Sequence, residues 1–134
     1  MSKIKIEFSI IGDNFLPEDI TTILNIKPTE AYYKNEDFLG GKENNILMKR
    51  KGCAWSLATE YAESLDVVFE IRKLYNILKN KKAELLDISL KFSVSYKFDI
   101  VIYIGGDNPI IGIEKEIVKF ASDISAEFEF DTYV

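Results

Sequence analysis

Residues 92–104 read Phe-Ser-Val-Ser-Tyr-Lys-Phe-Asp-Ile-Val-Ile-Tyr-Ile, and this stretch decides the fold class. Apolar side chains recur at every second position, which is the pattern of a β-strand with one buried face. Val101 and Tyr103 make the second half of the stretch apolar on both faces, as is typical of a strand in the middle of a sheet. We therefore predict one long central strand that ends before the turn at residues 105–109.

Outward from this strand, similar patterns predict at least three more strands and about three helices. The strands cover residues 4–10, 54–59 and 126–134, where apolar side chains alternate with others. The helices run from Pro17 to about Asn25, from the N-cap Ser64 to about residue 80, and from Ile113 to Ile124. Strand-helix-strand order at both ends predicts a single α+β domain over residues 1–134, a mixed sheet with the helices packed on one face.

Residues 34–53 carry no clear pattern, and a loop or a loose hairpin is expected there after a short strand at Tyr32-Tyr33. The segment contains Gly40-Gly41, Asn44-Asn45 and the basic run Lys49-Arg50-Lys51. Loops of this length in compact domains are often binding segments. The basic run is either a solvated loop, which we favour, or a contact for phosphate.

Two turns share the same residues, which raises the question of an internal repeat. Gly12-Asp13-Asn14 precedes Pro17 and a helix, and Gly106-Asp107-Asn108 precedes Pro109 and a helix. One interpretation is a ferredoxin-like duplication of two β-α-β halves, with the turns at corresponding strand ends. The other, which we favour, is that Gly, Asp and Asn simply suit turns.

The residue counts exclude several kinds of site, because the chain has no histidine and one cysteine, Cys53. A nucleophile activated by histidine, a zinc site built from Cys and His, and a disulfide framework are all excluded. Asp13 and Asp107, with Asn14 and Asn108, are the only candidate oxygen ligands for a hard cation, but their spacing matches no calcium loop. We therefore predict no catalytic residue, no metal site and no cofactor.

The charge of the chain argues against a nucleic-acid partner. The net charge is −5 and the isoelectric point is about 4.8, whereas nucleic-acid-binding domains are basic. Residues 105–134 hold seven acids against two lysines, so the imbalance is local. This acidic region either keeps the protein soluble, the commoner case, or attracts a basic partner. The N-terminus shows neither a signal peptide nor a membrane span, so we expect a cytoplasmic protein without a membrane partner.

The chain contains Phe8-Ser9-Ile10 followed by Pro17-Glu18-Asp19-Ile20, then Leu24-Asn25-Ile26-Lys27-Pro28-Thr29, Trp55-Ser56-Leu57-Ala58-Thr59, and the ending Ala126 to Asp131-Thr132-Tyr133-Val134. These short motifs resemble those of an uncharacterised bacterial family, domain of unknown function 4279. Asn25 replaces a glycine of the family pattern, and Lys34-Asn35-Glu36 departs from its Lys-Gly-Asp turn. The resemblance implies one compact domain and no established activity, catalytic residue or cofactor. The motif residues Pro28, Thr29, Trp55, Asp131 and Tyr133 mark either a shared surface or, as we prefer, shared packing.

Two functions are compatible with these observations. We favour a non-enzymatic binding module for a protein partner, one form of which is an immunity-type protein that binds a toxin. Its candidate surface residues are Asp13, Asn14, Trp55, Asp107, Asn108, Asp131 and Tyr133. The alternative is a small-ligand sensor or a carboxylate-dependent enzyme with a site near Asp13, Trp55 and Asp107, which requires those groups to share one pocket. The sequence predicts neither the partner nor the oligomeric state.

Overall fold

The predicted central strand lies in the middle of a mixed sheet in the computed structural model, which describes all 134 residues. The elements, in chain order, are β1 (Lys3–Gly12), α1 (Pro17–Leu24), β2 (Glu30–Tyr32), β3 (Asp37–Gly40), β4 (Ile46–Lys49), β5 (Cys53–Ala58), β6 (Ala62–Glu63), α2 (Val67–Leu78), a 3₁₀ turn (Lys79–Lys81), α3 (Lys82–Lys91), β7 (Val94–Tyr103), α4 (Lys115–Asp123) and β8 (Ala126–Tyr133).

The main sheet has the strand order β2-β5-β1-β7-β8, and the short β6 pairs with the start of β1. β1 and β7 are antiparallel along their whole length, from the pair Lys3–Tyr103 to the pair Gly12–Val94. β7 and β8 are parallel neighbours, with α4 between them in the chain. The sheet is therefore mixed, and the α+β class predicted from the sequence is confirmed.

One face of the sheet carries the whole core. The paired residues Ile6–Ile100, Phe8–Phe98 and Ile10–Tyr96 point to this face, and all of them are buried. All four helices contribute buried residues to the same cluster. Because side chains alternate along a strand, the residues between these positions point to the other face, which no helix covers.

The helix ends test the start and end positions predicted from the sequence. Pro17 begins α1, as predicted, and Asn25 ends it in the left-handed conformation, with φ of 54°. Asparagine tolerates this geometry better than most residues, which explains how it replaces the family's glycine. The expected N-cap Ser64 is wrong: the Asp66 side chain caps α2, accepting hydrogen bonds from the backbone N–H groups of Val68 and Phe69.

The ferredoxin-like duplication is not present. β1 and β5, which α1 and the hairpin connect, are antiparallel neighbours, whereas β7 and β8 are parallel neighbours. In a ferredoxin-like half, the two strands of a β-α-β unit are parallel and another strand lies between them. The two halves of this chain therefore differ in topology, and turn chemistry is enough to explain their common residues.

The segment 34–53 forms a hairpin, one of the two structures expected for it. β3 and β4 pair as a separate two-stranded sheet, and a cross-strand ion pair joins Lys49 Nζ to Asp37 Oδ1 at 2.7 Å. The hairpin lies beside β2, where Arg50 contacts Tyr32. No helix of the chain is both long enough and apolar enough to cross a lipid bilayer.

Candidate functional site

The two Gly-Asp-Asn turns lie at opposite ends of the sheet. One follows the end of β1 and the other follows the end of β7, and these strands are antiparallel neighbours over ten residue pairs. Their full length, about 30 Å, separates the turns. Trp55 is fully buried on the helix face. The hypothesis of one site formed by Asp13, Trp55 and Asp107 is therefore wrong.

Asp107 holds the start of the chain in place. Its carboxylate accepts hydrogen bonds from the backbone N–H of Ser2, at 3.2 Å, and from the Ser2 hydroxyl. The Ser2 hydroxyl oxygen in turn accepts a hydrogen bond from the backbone N–H of Gly105 at 3.0 Å. The hydrogen bonds from Ser2 lower the pKa of Asp107. The contacts of Asp107 thus join the start of the first strand to the end of its neighbour.

The remaining residues of the two turns are surface residues. Asp13 is exposed and forms an ion pair with Lys34 at 3.7 Å, and Asn14 and Asn108 are also exposed. Whether they contact a ligand or a partner stays a prediction. Trp55, by contrast, donates a hydrogen bond to the Thr21 hydroxyl at 3.0 Å from inside the core, so its contacts are those of a packing residue.

Asp131 and Tyr133 lie on the face of the sheet that no helix covers. We call this surface the open face and define it by the residues of β1, β7 and β8 that point away from the helices. These are Lys3, Lys5, Glu7, Ser9, Ile11, Ser95, Lys97, Asp99, Val101, Tyr103, Glu127, Glu129, Asp131 and Tyr133. The two candidate residues of the C-terminal strand are therefore part of a larger surface.

Three carboxylates form a row across the middle of the open face. Glu7 on β1 is paired in register with Asp99 on β7, and Asp99 is paired with Glu129 on β8. Directly opposed residues of neighbouring strands have Cβ atoms about 5 Å apart, and like charges at such positions are destabilising. Lys97 is the one lysine that forms ion pairs with the row, with its Nζ 3.6 Å from Asp99 and 3.4 Å from Glu129, and Lys5 lines the same groove.

The excess negative charge also affects the ionisation of the row. Burial raises the pKa of Asp99, Lys97 opposes that rise, and the neighbouring Glu129 and Glu7 add to it. Burial disfavours the charged form of Lys97, but Asp99 and Glu129 outweigh burial and raise the pKa of its ammonium. Burial is thus the largest cause of the raised pKa of Asp99, and Lys97 offsets it only in part.

A tyrosine cluster borders the carboxylate row at the end of the sheet where β1 begins. The rings of Tyr103 and Tyr133 stack with centroids 4.9 Å apart, and Tyr61 meets Tyr103 edge-on at 5.6 Å. All three side chains are nearly half exposed. Lys5 places its Nζ 5.4 Å from the centre of the Tyr61 ring, so this cluster already holds one cation over an aromatic face.

The carboxylates and Tyr61 line a common groove of about 240 Å³. A second cavity, of about 480 Å³, adjoins it beside Tyr61, Tyr103 and Met1. Carboxylates accept charge-assisted hydrogen bonds from ammonium and guanidinium groups, and tyrosine faces attract the same groups. No three acidic or cysteine side chains converge closely enough to form a metal-binding group. The carboxylates and tyrosine rings of the open face are groups that can accept such organic cations.

The residues that define this surface were not among the predicted site residues, with the exception of Asp131 and Tyr133. Sequence alternation already assigned Lys97 and Asp99 to the polar face of the central strand. What it did not supply was the register, which brings Glu7 and Glu129 beside Asp99. The pairing is non-local, so the row has no signature within any one strand.

The comparison with protein families bears on the whole chain. A family model described as "Domain of unknown function (DUF4279)" matches residues 2–134. The chain belongs to this family. The resemblance inferred from the short motifs is therefore confirmed. No curated protein and no solved structure matches this DUF4279 chain.

The family motifs of this DUF4279 chain divide between packing and surface. Trp55 is buried, and the Thr29 hydroxyl accepts a hydrogen bond from the backbone N–H of Ala58 at 3.0 Å, which ties the start of β2 to β5. Asp131 and Tyr133 are exposed on the open face. The preference for shared packing therefore agrees with the contacts of Trp55 and Thr29, and Asp131 and Tyr133 remain surface candidates.

Proposed function

We propose that this protein is a binding module whose open face docks a basic segment of a protein partner. The observation that carries the proposal is the carboxylate row, in which Glu7, Asp99 and Glu129 face one another and only Lys97 forms ion pairs with them. An uncovered sheet face with this arrangement costs the free protein stability, because like charges oppose one another. Cationic side chains of a partner offset that cost, and the free energy they recover contributes to binding.

The occupant that best complements this surface is a segment with exposed arginines or lysines. A guanidinium group can bridge two carboxylates of the row, and the adjacent Tyr61 and Tyr103 rings offer faces on which it can stack. A second copy of this chain is a poor occupant, because it would present the same acidic row and the two rows would repel each other. Charge complementarity also favours fast association with a basic partner.

The narrower form of the proposal is an immunity-type role, in which the partner is a toxin. An acidic surface that associates quickly suits a protein that has to cover the basic active surface of a toxin. In this form the module acts in the bacterial cytoplasm, where the toxin must be neutralised. The net charge of −5 and its concentration near the C-terminus support this form of the proposal.

A peptide titration tests the broader form. The probe is a labelled peptide of alternating arginine and threonine, with a peptide of alternating glutamate and threonine as its control, and the readout is fluorescence anisotropy. The test variant combines Asp99→Asn with Glu129→Gln on the open face. A matched control, Asp87→Asn with Glu116→Gln, removes the same two charges from the helix side of the molecule, where both groups form ion pairs.

The proposal predicts that only the arginine peptide binds the wild-type protein. The open-face variant should then bind it about tenfold more weakly, and the matched control within about twofold of wild type. Equal weakening in both variants would mean that the peptide senses only net charge, and it would contradict a docking site on the open face.

The immunity form has its own test, which co-expresses this protein with a toxin if a neighbouring gene encodes one; the absence of such a gene would contradict this form. Cells that express the toxin should survive with the wild-type protein or the matched control, and die with the open-face variant. If the wild-type protein gives no protection, the immunity form is wrong, and the peptide result still decides whether the open face binds basic segments.

A further inference from the structure

Arg50 lies at the junction between the β3–β4 hairpin and the main sheet. Its guanidinium carbon is 4.0 Å from the centroid of the Tyr32 ring and 3.8 Å from that of the Phe38 ring. Its backbone is fixed as well, because its N–H donates to Glu36 O and its carbonyl accepts from Asn35 N, both at 2.8 Å. The guanidinium is therefore held in a defined position before any ligand arrives.

No acceptor of the protein uses the guanidinium of Arg50. Its Nε is buried and has no hydrogen-bond partner. Neither Asp37, which pairs with Lys49, nor Glu36, whose backbone carbonyl accepts from the Arg50 N–H, forms an ion pair with this guanidinium. A guanidinium carries five N–H donors and keeps its charge at every physiological pH. A fixed, stacked guanidinium without an ion-pair partner has the chemistry to bind an anion.

The surroundings of Arg50 define what kind of anion would occupy this site. Arg50 lines a cavity of about 240 Å³, together with the apolar side chains of Ile11, Phe38 and Met48 and with the exposed Lys51. Aromatic rings stack on the faces of a guanidinium group, so its N–H groups donate hydrogen bonds in the plane of the group. In that plane an oxyanion can accept two parallel hydrogen bonds. Lys51 adds a second positive charge at the same cavity, and Lys49, which also lines it, is ion-paired with Asp37.

We propose that this cavity is an oxyanion site, which binds a carboxylate or phosphate group carried on a small apolar body. Arg50 binds the oxyanion, Lys51 adds electrostatic attraction, and Ile11, Phe38 and Met48 contact the apolar body. The site shares Ile11 with the open face but contains no residue of the carboxylate row or of the tyrosine cluster. It lies at the Gly12 end of β1, whereas the tyrosine cluster lies at the Lys3 end and the carboxylate row lies between them.

The chain offers an internal control for the test, because Arg50 and Arg72 are its only arginines. Arg72 is ion-paired with Glu114 and Glu116, so it should not respond to added anions. The experiment follows the two Nε–Hε signals by NMR while sodium benzoate, sodium phosphate or sodium chloride is added at matched ionic strength. Thermal unfolding with each salt provides a second readout on the wild-type protein.

The expected result is a saturable shift of the Arg50 signal with benzoate or phosphate, no shift with chloride, and an unchanged Arg72 signal. Tighter binding of benzoate than of phosphate supports the proposed contacts with an apolar body. Saturable binding of phosphate alone supports the oxyanion site but overturns the apolar part of the proposal. An Arg50 signal that responds to neither oxyanion, or that moves no more than it does with chloride, overturns the site.

Two variants separate the oxyanion site from a purely structural role of Arg50. Arg50→Lys keeps the positive charge but loses the planar donor group, and it should weaken binding by about tenfold. Lys51→Gln should weaken binding by about two- to threefold and leave the melting temperature without ligand unchanged. If Arg50→Lys does not fold, the wild-type NMR titration and Lys51→Gln still decide the matter. If Arg50→Lys folds and binds as tightly as the wild type, the proposed role of the guanidinium is wrong.

Discussion

The two faces of the central strands have opposite properties, although their residues alternate one by one along the same chain. On the helix face, Phe8 and Phe98 are paired and fully buried, and each contact adds to the core. On the open face, the next residue pair, Glu7 and Asp99, sets like charges against each other. The helix face accounts for the stability of the domain, whereas the open face sets like charges side by side, and it is the face to which we assign the proposed docking function.

The largest change in stability should separate two neighbouring residues of β7, one on each face. Phe98→Ala removes a fully buried ring from the helix face and should lower the free energy of unfolding by about 3–5 kcal/mol. Asp99→Asn, one position along, should cause no such loss. Urea denaturation of both variants measures the difference, and equal losses at the two positions would contradict the division of roles between the faces.

A smaller effect is expected at the hydrogen bonds between Asp107 and the start of the chain. Because the pKa of Asp107 is lowered in the folded protein, the stabilisation is complete above the unfolded value near 3.8 and is lost as the pH falls through the folded value. Asp107→Asn should therefore lower the melting temperature at pH 7 and have less effect in acid. A melting temperature that falls by the same amount at both pH values would exclude a role for the charge.

The smallest effect has the opposite sign and belongs to the carboxylate row. The pKa of Asp99 is raised in the folded protein, so the protonated form favours folding, and stability decreases as the pH rises from about 3.8 through the folded value. Asp99→Asn should remove this decrease and raise the free energy of unfolding at pH 7 by less than about 1 kcal/mol. Destabilisation at pH 7 would show that the ion pair with Lys97 outweighs the repulsion.

Cys53, the first residue of β5, reports how rigid this end of the sheet is. The side chain is buried, and its sulfur accepts a hydrogen bond from the backbone N–H of Phe15 at 3.0 Å. The thiol should therefore react with a disulfide reagent only as fast as the protein opens, and urea should accelerate the reaction. Rapid reaction in native buffer would mean that β5 opens locally at this end.

The strands and the face they bury could be predicted from the sequence, because a period of two is a local property. The same period placed Phe98 inside and Asp99 outside before any pairing was known. The helix α3 could not be predicted in this way. Its apolar residues do not form one stripe, since Leu85 and Ile88 are buried whereas Leu86 and Leu90 are exposed.

The candidate site was harder to predict than the fold, because it depends on which strands are neighbours. The common residues of the two turns suggested one shared site, but the antiparallel pairing of β1 and β7 places the turns at opposite ends. The same pairing, together with the parallel pairing of β7 and β8, aligns three carboxylates far apart in the sequence. Registers of this kind are set by the whole sheet rather than by any single strand.

The measurement that tests the central claim most directly is NMR mapping of the arginine–threonine peptide on the ¹⁵N-labelled protein. We expect the peptide to shift the backbone amide signals of residues around Glu7, Asp99 and Glu129 and around Tyr61, Tyr103 and Tyr133. The amide signals of α2 and α4 should not move. Shifts spread evenly over both sides of the molecule, or concentrated on the helices, would contradict a binding role for the open face.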